Sequence, residues 1–287
     1  MSLCSRFMLG TDVDRATLSA SSASPNLPVK NLQDQQRTKK WRAAGCAGEH
    51  VGIDFGAVKP VSALALIQHN LTYDGRITIT AGSSAGAGDL FSQTWPAWEP
   101  LFGFGEGGFG EHGLGGYLTP DEAATYFPAG TMRLIYFDEV RARYWRVTLA
   151  DAANPDGWLE AGRLILGCFR QSTRMVSSPM RITPQDPSLV TYSKGGQAWR
   201  DAQTKFRMGS YRYEYIPDNQ TYGLFFAMLQ ELGAGVSFAA DFFHGDRQMS
   251  RRLHNQLYCH IPAGALPPLE NVSPNYGHVE LTVRESR

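Results

Sequence analysis

Hydrophobic and polar positions alternate with a period of two along much of this chain, and that alternation predicts strands. Val51, Ile53 and Phe55 interleave with Gly52 and Asp54, the pattern of a strand with one buried face. Val61 to Ile67 is almost wholly apolar and ends in Gln68-His69-Asn70, a core strand running into a loop. Arg76-Ile77-Thr78-Ile79-Thr80 alternates again until Gly82 closes it. Met132, Leu134 and Tyr136 share one face while Arg133, Ile135 and Phe137 share the other, so both faces are expected to be partly covered. Trp145, Val147 and Leu149 line one side of the next strand. Asp151 to Gly157 is a dense cluster of turn formers, and a strand from Leu159 to Leu166 follows.

The same period returns after a break. Ser177-Ser178-Pro179 and Thr183-Pro184-Gln185-Asp186-Pro187 read as the extended, hydrophilic punctuation of a linker over residues 172–187. Beyond it, Leu189 to Ser193 is strand-like, Lys194-Gly195-Gly196-Gln197 is a turn, and a long strand from Lys205 to Ile216 carries Phe206, Met208, Tyr211, Tyr213 and Tyr215. The spacing of Tyr222, Phe225, Phe226, Leu229 and Leu232 predicts a helix over 218–232 with one buried stripe, ended by Gly233 and Gly235. Strands are expected at Val236–Phe243, Gln256–Ile261 and Gly277–Glu285. The chain therefore divides into a lead-in segment (1–24), a first β unit (25–171), the linker, and a second β-rich unit (188–287). The class is mainly β.

One stretch does not alternate. Residues 83–130 form an insert rich in glycine and aromatic residues, among them Trp95, Trp98, Phe102, Phe104, Phe109 and Tyr117. A loop this long inside a compact unit is either functional or ordered by a neighbour. Thr119-Pro120-Asp121-Glu122 within it has the cap and first-turn proline of a short helix start.

Composition narrows the function classes. At 287 residues there is room for two cores or one large one. Acidic and basic side chains balance at 27 each, with no run of like charge, so the basic footprint of a nucleic-acid binder is absent. Arg37-Thr38-Lys39-Lys40 with Arg42 reads as a solvated turn rather than a phosphate clamp. No stretch reaches the ~18 apolar residues of a membrane helix, and Phe7-Met8-Leu9 is too short for a signal-peptide core. Cys4, Cys46, Cys168 and Cys259 are scattered and never at ligand spacing, which predicts buried free thiols of cytosolic synthesis and no metal or other cofactor.

No catalytic signature emerges. Gly103-Phe104-Gly105-Glu106-Gly107-Gly108 lacks the strand–turn–helix context of a dinucleotide loop. Seven histidines lie without a Ser or Cys partner at recognisable spacing, and His112 sits in the insert. Asp138-Glu139, Glu106 and Glu111 read as solvated carboxylates rather than a glycosidase pair. Asp151, Asn154 and Asp156 carry oxygens enough for a calcium loop, but an Asx-rich turn is the better reading.

Two blocks carry a family likeness. Pro25-Asn26-Leu27-Pro28-Val29-Lys30-Asn31-Leu32 runs into Lys40-Trp41-Arg42 and Val51-Gly52-Ile53-Asp54-Phe55-Gly56, and later Tyr144-Trp145-Arg146-Val147-Thr148-Leu149-Ala150-Asp151 precedes Gly162-Arg163-Leu164-Ile165-Leu166-Gly167. Together they resemble the galactose-binding-like, or discoidin-like, β-jelly roll, which implies a binding and assembly module with Trp41 and Trp145 in its core. The second unit, led by Gly195-Gly196-Gln197-Ala198-Trp199, is similar in pattern to tail-tip and tail-tube-related domains of long-tailed bacteriophages. The combination resembles minor tail and distal tail proteins. It implies a structural part of a phage tail tip or baseplate, made in the host cytoplasm and carried in the virion. The implied partners are other tail proteins (tube, hub or fibre) and further copies in a ring. The alternative is a carbohydrate-binding module that recognises a host-surface glycan. On either reading the insert aromatics are the candidate contacts, sheltered by a neighbouring subunit or stacked on sugar.

Overall fold

The computed structural model describes residues 3–36, 38–99, 131–246 and 248–286. It is mainly β, as the alternation predicts, with most of its strands in two large antiparallel sheets.

The first sheet is built on two 19-residue strands, Glu49–Ile67 and Met132–Ala150, which run side by side over almost their whole length. The register slips between Asp54 and Lys59, where Gly56 takes φ 73°. Before this bulge Glu49–Ile67 pairs with Thr17–Ala20; after it, with Arg163–Gly167. Arg76–Gly82 and Phe91–Pro96 extend the other side. Inside the curled sheet lie Val51, Ile53, Ile77, Ile79, Trp145, Val147 and Leu149, closed off by Leu32 and Trp41. Trp41 and Trp145 are core residues, at 0% and 2% exposure.

The second sheet runs Phe169–Gln171, Cys4–Leu9, Ser237–His244, Gln256–His260, Tyr276–Glu285, Phe206–Pro217, Ser177–Gln185. Two of these members correct the sequence reading. Cys4–Leu9, read as part of a lead-in strand and loop, is a strand but an interior one, between Phe169–Gln171 and Ser237–His244, because its side chains alternate between two cores and five of its six residues are buried. The supposed linker supplies Ser177–Gln185, paired with Phe206–Pro217. Its prolines suggested a linker because proline cannot donate to a ladder; this strand lies at the sheet edge, where one side has no ladder to serve.

A helix lies on one face of this sheet, as expected, but its stripe differs. Thr221–Phe226 is a π-helical segment between Asp218–Gln220 and Ala227–Leu232. The buried set is Thr221, Leu224, Phe225, Met228, Leu229 and Leu232. Tyr222 and Phe226, assigned to the stripe from their size, are instead exposed. Positions 221, 224, 225, 228, 229 and 232 follow three-four spacing more closely, so period outranks aromatic bulk.

The two sheets meet back to back. Ala63, Ala65, Ile67, Met132, Leu134 and Ile165 from the first pack on Met8, Ala239 and Tyr258 from the second. This explains the apolar run Val61–Ile67: Leu64 and Leu66 face the first core while Ala63 and Ala65 face the second sheet, and alanine lets the sheets approach closely. At the edge of the contact, Glu99 accepts from Arg133 and from Arg252 at 3.0 Å each, and Arg252 also donates to Asp241, which is fully buried. The division into units at 172–187 thus meets an interface with its own apolar core and a chain of ion pairs across it.

Candidate interaction surfaces

The insert aromatics come first. Trp95 is not a loop residue: Phe91–Pro96 is a strand, and Trp95 packs beside Phe91, Phe137 and the first core. The phase Phe91, Gln93, Trp95 against Ser92, Thr94 is a strand pattern that the flanking glycines obscured. Trp98 is anchored too. Its indole N–H donates to the Leu71 carbonyl at 2.8 Å, and its ring lies against His69 and Tyr73. Both rings are partly buried against the first core. Phe102, Phe104, Phe109, Tyr117 and His112 lie outside the described residues, as does the helix start at 119–122.

The loops beneath Trp98 are held by polar contacts. Asp151 accepts from the Thr72 N–H (2.6 Å), the Thr72 hydroxyl (2.9 Å) and the Asn154 amide (3.0 Å). Asn154 caps the Asp156 N–H, and Asn70 donates to Asp156 and to the Trp158 carbonyl. With these oxygens turned to N–H and O–H donors, the trio stitches one loop to another, the Asx-rich turn expected. Among the described residues no group of three or more His, Cys, Asp or Glu is placed to hold a metal. His69 is buried there, and desolvation, aided by the nearby Arg133 charge, pushes its pKa down to about 3, so the ring is neutral. The side chain of Asn70, not that of His69, closes the loop. All cysteines are free thiols; Cys4 and Cys259 are buried, Cys46 and Cys168 only half-buried.

Sequence reasoning missed two exposed apolar surfaces among the described residues. The first is the hairpin Leu189–Tyr192 with Ala198–Asp201, a two-stranded sheet separate from both large ones. All of its strand residues are exposed. Leu189 (62%) and Trp199 (64%) stand on one face, Val190 and Tyr192 (72%) on the other. At its tip Gly196 takes φ 80° and donates to the Ser193 carbonyl, making the turn the sequence predicts. At its root Arg200 pairs with Asp186 and the Gln203 N–H donates to Ser188. The available signal was the spacing: Leu189, Val190, Tyr192 and Trp199 do not fit a one-sided strand.

The second surface surrounds the start of the helix, where Tyr222 and Phe226 lie edge to face at 6.4 Å. Tyr222 donates to Asn271, and Val272 and Tyr276 are also exposed; Tyr215 is exposed on the other face of the sheet, beside His278. Tyr215 has φ 52°, a strained value for an aromatic residue, at a bulge between Tyr213 and Ile216 that aims its ring toward His278. Elsewhere, Trp158 is 37% exposed with the Arg42 guanidinium 4.6 Å above its ring. No helix among the described residues is long and apolar enough to cross a membrane.

No family model matches the chain, and no curated protein does. Solved structures similar to it include a family 32 carbohydrate-binding module of AlyQ in complex with 4,5-unsaturated mannuronic acid: 20% identity over 52% of this chain and 92% of that one, TM-score 0.34. A family 32 module from C. perfringens NanJ in complex with galactose is 12% identical over 58% and 99%, TM-score 0.36. The lectin domain of lectinolysin complexed with Lewis B antigen is 11% identical over 54% and 94%, TM-score 0.36. These are galactose-binding-like folds matched over about half of this chain. At such TM-scores the likeness says nothing about this chain's ligand.

Proposed function

We propose that this chain is a non-catalytic assembly protein, a structural component of a bacteriophage tail tip or baseplate, and that the hairpin Leu189–Asp201 is its main contact with other subunits. The observation that carries the assembly role is the hairpin itself. An isolated two-stranded hairpin is at best marginal in water unless further strands or a helix pack on it, and among the described residues this one leaves apolar side chains bare on both faces. A partner that covers them supplies the missing layer. The tail context comes from the pattern of the second unit; the assembly role stands on the hairpin without it. Synthesis in the host cytoplasm and residence in the virion belong to the same proposal. The test is the mass of the purified full-length chain against concentration. Wild type should associate, and Tyr192→Ser with Trp199→Ser should remove that association without lowering the melting temperature. A wild type that remains monomeric at all accessible concentrations defeats the proposal.

A second reading has its own observation. Trp158 is a half-open indole beside Asn70, Asp156 and Arg42, the mixture of ring face and hydrogen-bonding groups that suits a sugar. A host-surface glycan is the ligand this reading proposes. Binding on a glycan array that disappears in Trp158→Ala would support it, and a blank array would remove it.

A further inference from the structure

We propose that the second sheet carries, on its face away from the helix, a cleft that binds an organic cation: a guanidinium or ammonium group on an aliphatic stem. The cleft does not involve the hairpin, so its test is separate from that of the assembly role. Val279, Leu281 and Val283 of Tyr276–Glu285 point into the core beneath the helix, which turns His278, Glu280 and Thr282 to the other face. Arg212 lies opposite Glu280 in the neighbouring strand, and Glu270 lies opposite His278 on the other side. Tyr276–Glu285 pairs with Gln256–His260 at Arg284 and Glu285, and with Glu270–Ser273 at Tyr276, Gly277 and His278. Between those stretches the chain passes through Pro262, Pro267 and Pro268, which cannot donate to a ladder. A cavity of about 520 Å³ opens between that loop and the strand, a volume in the range of small-ligand sites.

The walls of the cleft differ in chemistry, and the difference selects the ligand. One wall is the loop, where Ala265 is tucked against the core and Leu266 (49% exposed), Pro267 and Pro268 offer an apolar surface. The floor is charged. Arg212 is held by Glu214 at 3.0 Å, and Glu280 accepts from the Ser210 hydroxyl. The Glu270 carboxylate has no partner among the described residues. One guanidinium therefore stands against three carboxylates, those of Glu214, Glu270 and Glu280. Two further arginines on this face lie outside the cleft: Arg284 is stacked on the Phe206 ring at 4.2 Å, and Arg181 stands across the strand beside Ser210. A cation offsets the excess negative charge, and an anion would add to it. Among the described residues no three His, Cys, Asp or Glu side chains converge as a metal ion requires. The cation that fits is larger, with its charge spread along the carboxylates and an apolar stem against the loop. Beside His278 stands Tyr215, edge to face at 5.7 Å and 55% exposed. Its φ of 52° is the kind of strain found at ligand clamps, and its open ring adds a face for a cation.

Titration of the isotope-labelled full-length chain with butylguanidinium, followed through its amide resonances, tests this. Butylguanidinium should shift the amides of Leu266, Glu270, His278 and Glu280 saturably, with a Kd of about 1 mM. Butyrate, a similar stem with the opposite charge, should leave them in place. Glu270→Gln with Glu280→Gln keeps the shape of both side chains and should weaken binding about tenfold without lowering the melting temperature. Spermidine and a blocked tetrapeptide with two arginines then name the source: whichever binds more tightly identifies a free polyamine or a basic segment of a partner. No shift in the cleft with any of the three cations, equal shifts with butyrate, or binding unchanged in the double variant overturns the proposal.

Discussion

Two hairpins in this molecule share a local design and differ in fate. Arg76–Gly82 with Phe91–Pro96 and Leu189–Tyr192 with Ala198–Asp201 are both antiparallel pairs with aromatic residues and glycine in or near the connection. The first lies against a third strand, Met132–Ala150, and its inward side chains Ile77, Ile79 and Trp95 join a core. Among the described residues the second has no third strand, and all of its strand residues are exposed. Local pattern makes the hairpin in both cases. Whether its rings are buried depends on a layer that comes from elsewhere in the fold, or from another molecule.

The comparison breaks most sharply at the buried side. Trp145→Ala removes a 2%-exposed ring that packs near Phe91 and Phe137, and should cost about 3–5 kcal/mol of stability by chemical denaturation. Trp199→Ala removes a ring of the same kind from the second hairpin and should change monomer stability by less than about 0.5 kcal/mol. Comparable losses for the two would mean that the second hairpin is packed in the isolated chain.

Next in size is the contact between the sheets. Glu99→Ala leaves Arg133 and Arg252 facing each other without their shared carboxylate, and breaking such a buried pair costs about 3–5 kcal/mol at most. Arg133 and Arg252 side chains are about nine-tenths buried, whereas Glu99 is one-quarter exposed, so the lower end of that range is expected. A melt that splits into two transitions in Glu99→Ala, where wild type shows one, would place the coupling of the sheets in this network. Two transitions already in wild type would contradict it.

Acidification offers a milder probe of the first region. His69 is neutral when folded, with its pKa pushed down to about 3 from 6.5. The unfolded chain takes up a proton below about 6.5 that the folded chain refuses until about 3. The contribution is therefore complete above pH 6.5 and lost as pH falls through that window, at up to about 1.4 kcal/mol per pH unit. His69→Asn should flatten the stability–pH profile between 4 and 6 relative to wild type. An unchanged slope would show that His69 titrates normally.

Much of the fold is legible in the sequence. Alternation locates the strands around Val51, Ile77, Val147 and Val279, and three-four spacing locates the helix. The rest depends on partners distant in sequence. Cys4–Leu9 reads as lead-in because the strands beside it lie more than 160 residues away. Prolines at 179 and 184 suggest a linker until the strand is seen at an edge. Trp95 and Trp98 stand among glycines, yet Phe137 and the Leu71 carbonyl claim them. Of the candidate aromatics only Trp95 and Trp98 lie among the described residues, and the open surface at Tyr192 and Trp199, in an ordinary strand pattern, gave no signal of that kind.

Hydrogen exchange on the full chain, dilute and then concentrated, tests the central claim most directly. In dilute solution the amides of 76–82 and 91–96 should exchange slowly and those of 189–192 and 198–201 quickly, since a two-stranded hairpin without a covering layer opens readily. On association the second set should become protected while the first does not change. Slow exchange of the second hairpin in the dilute monomer, or no added protection on association, would contradict the account.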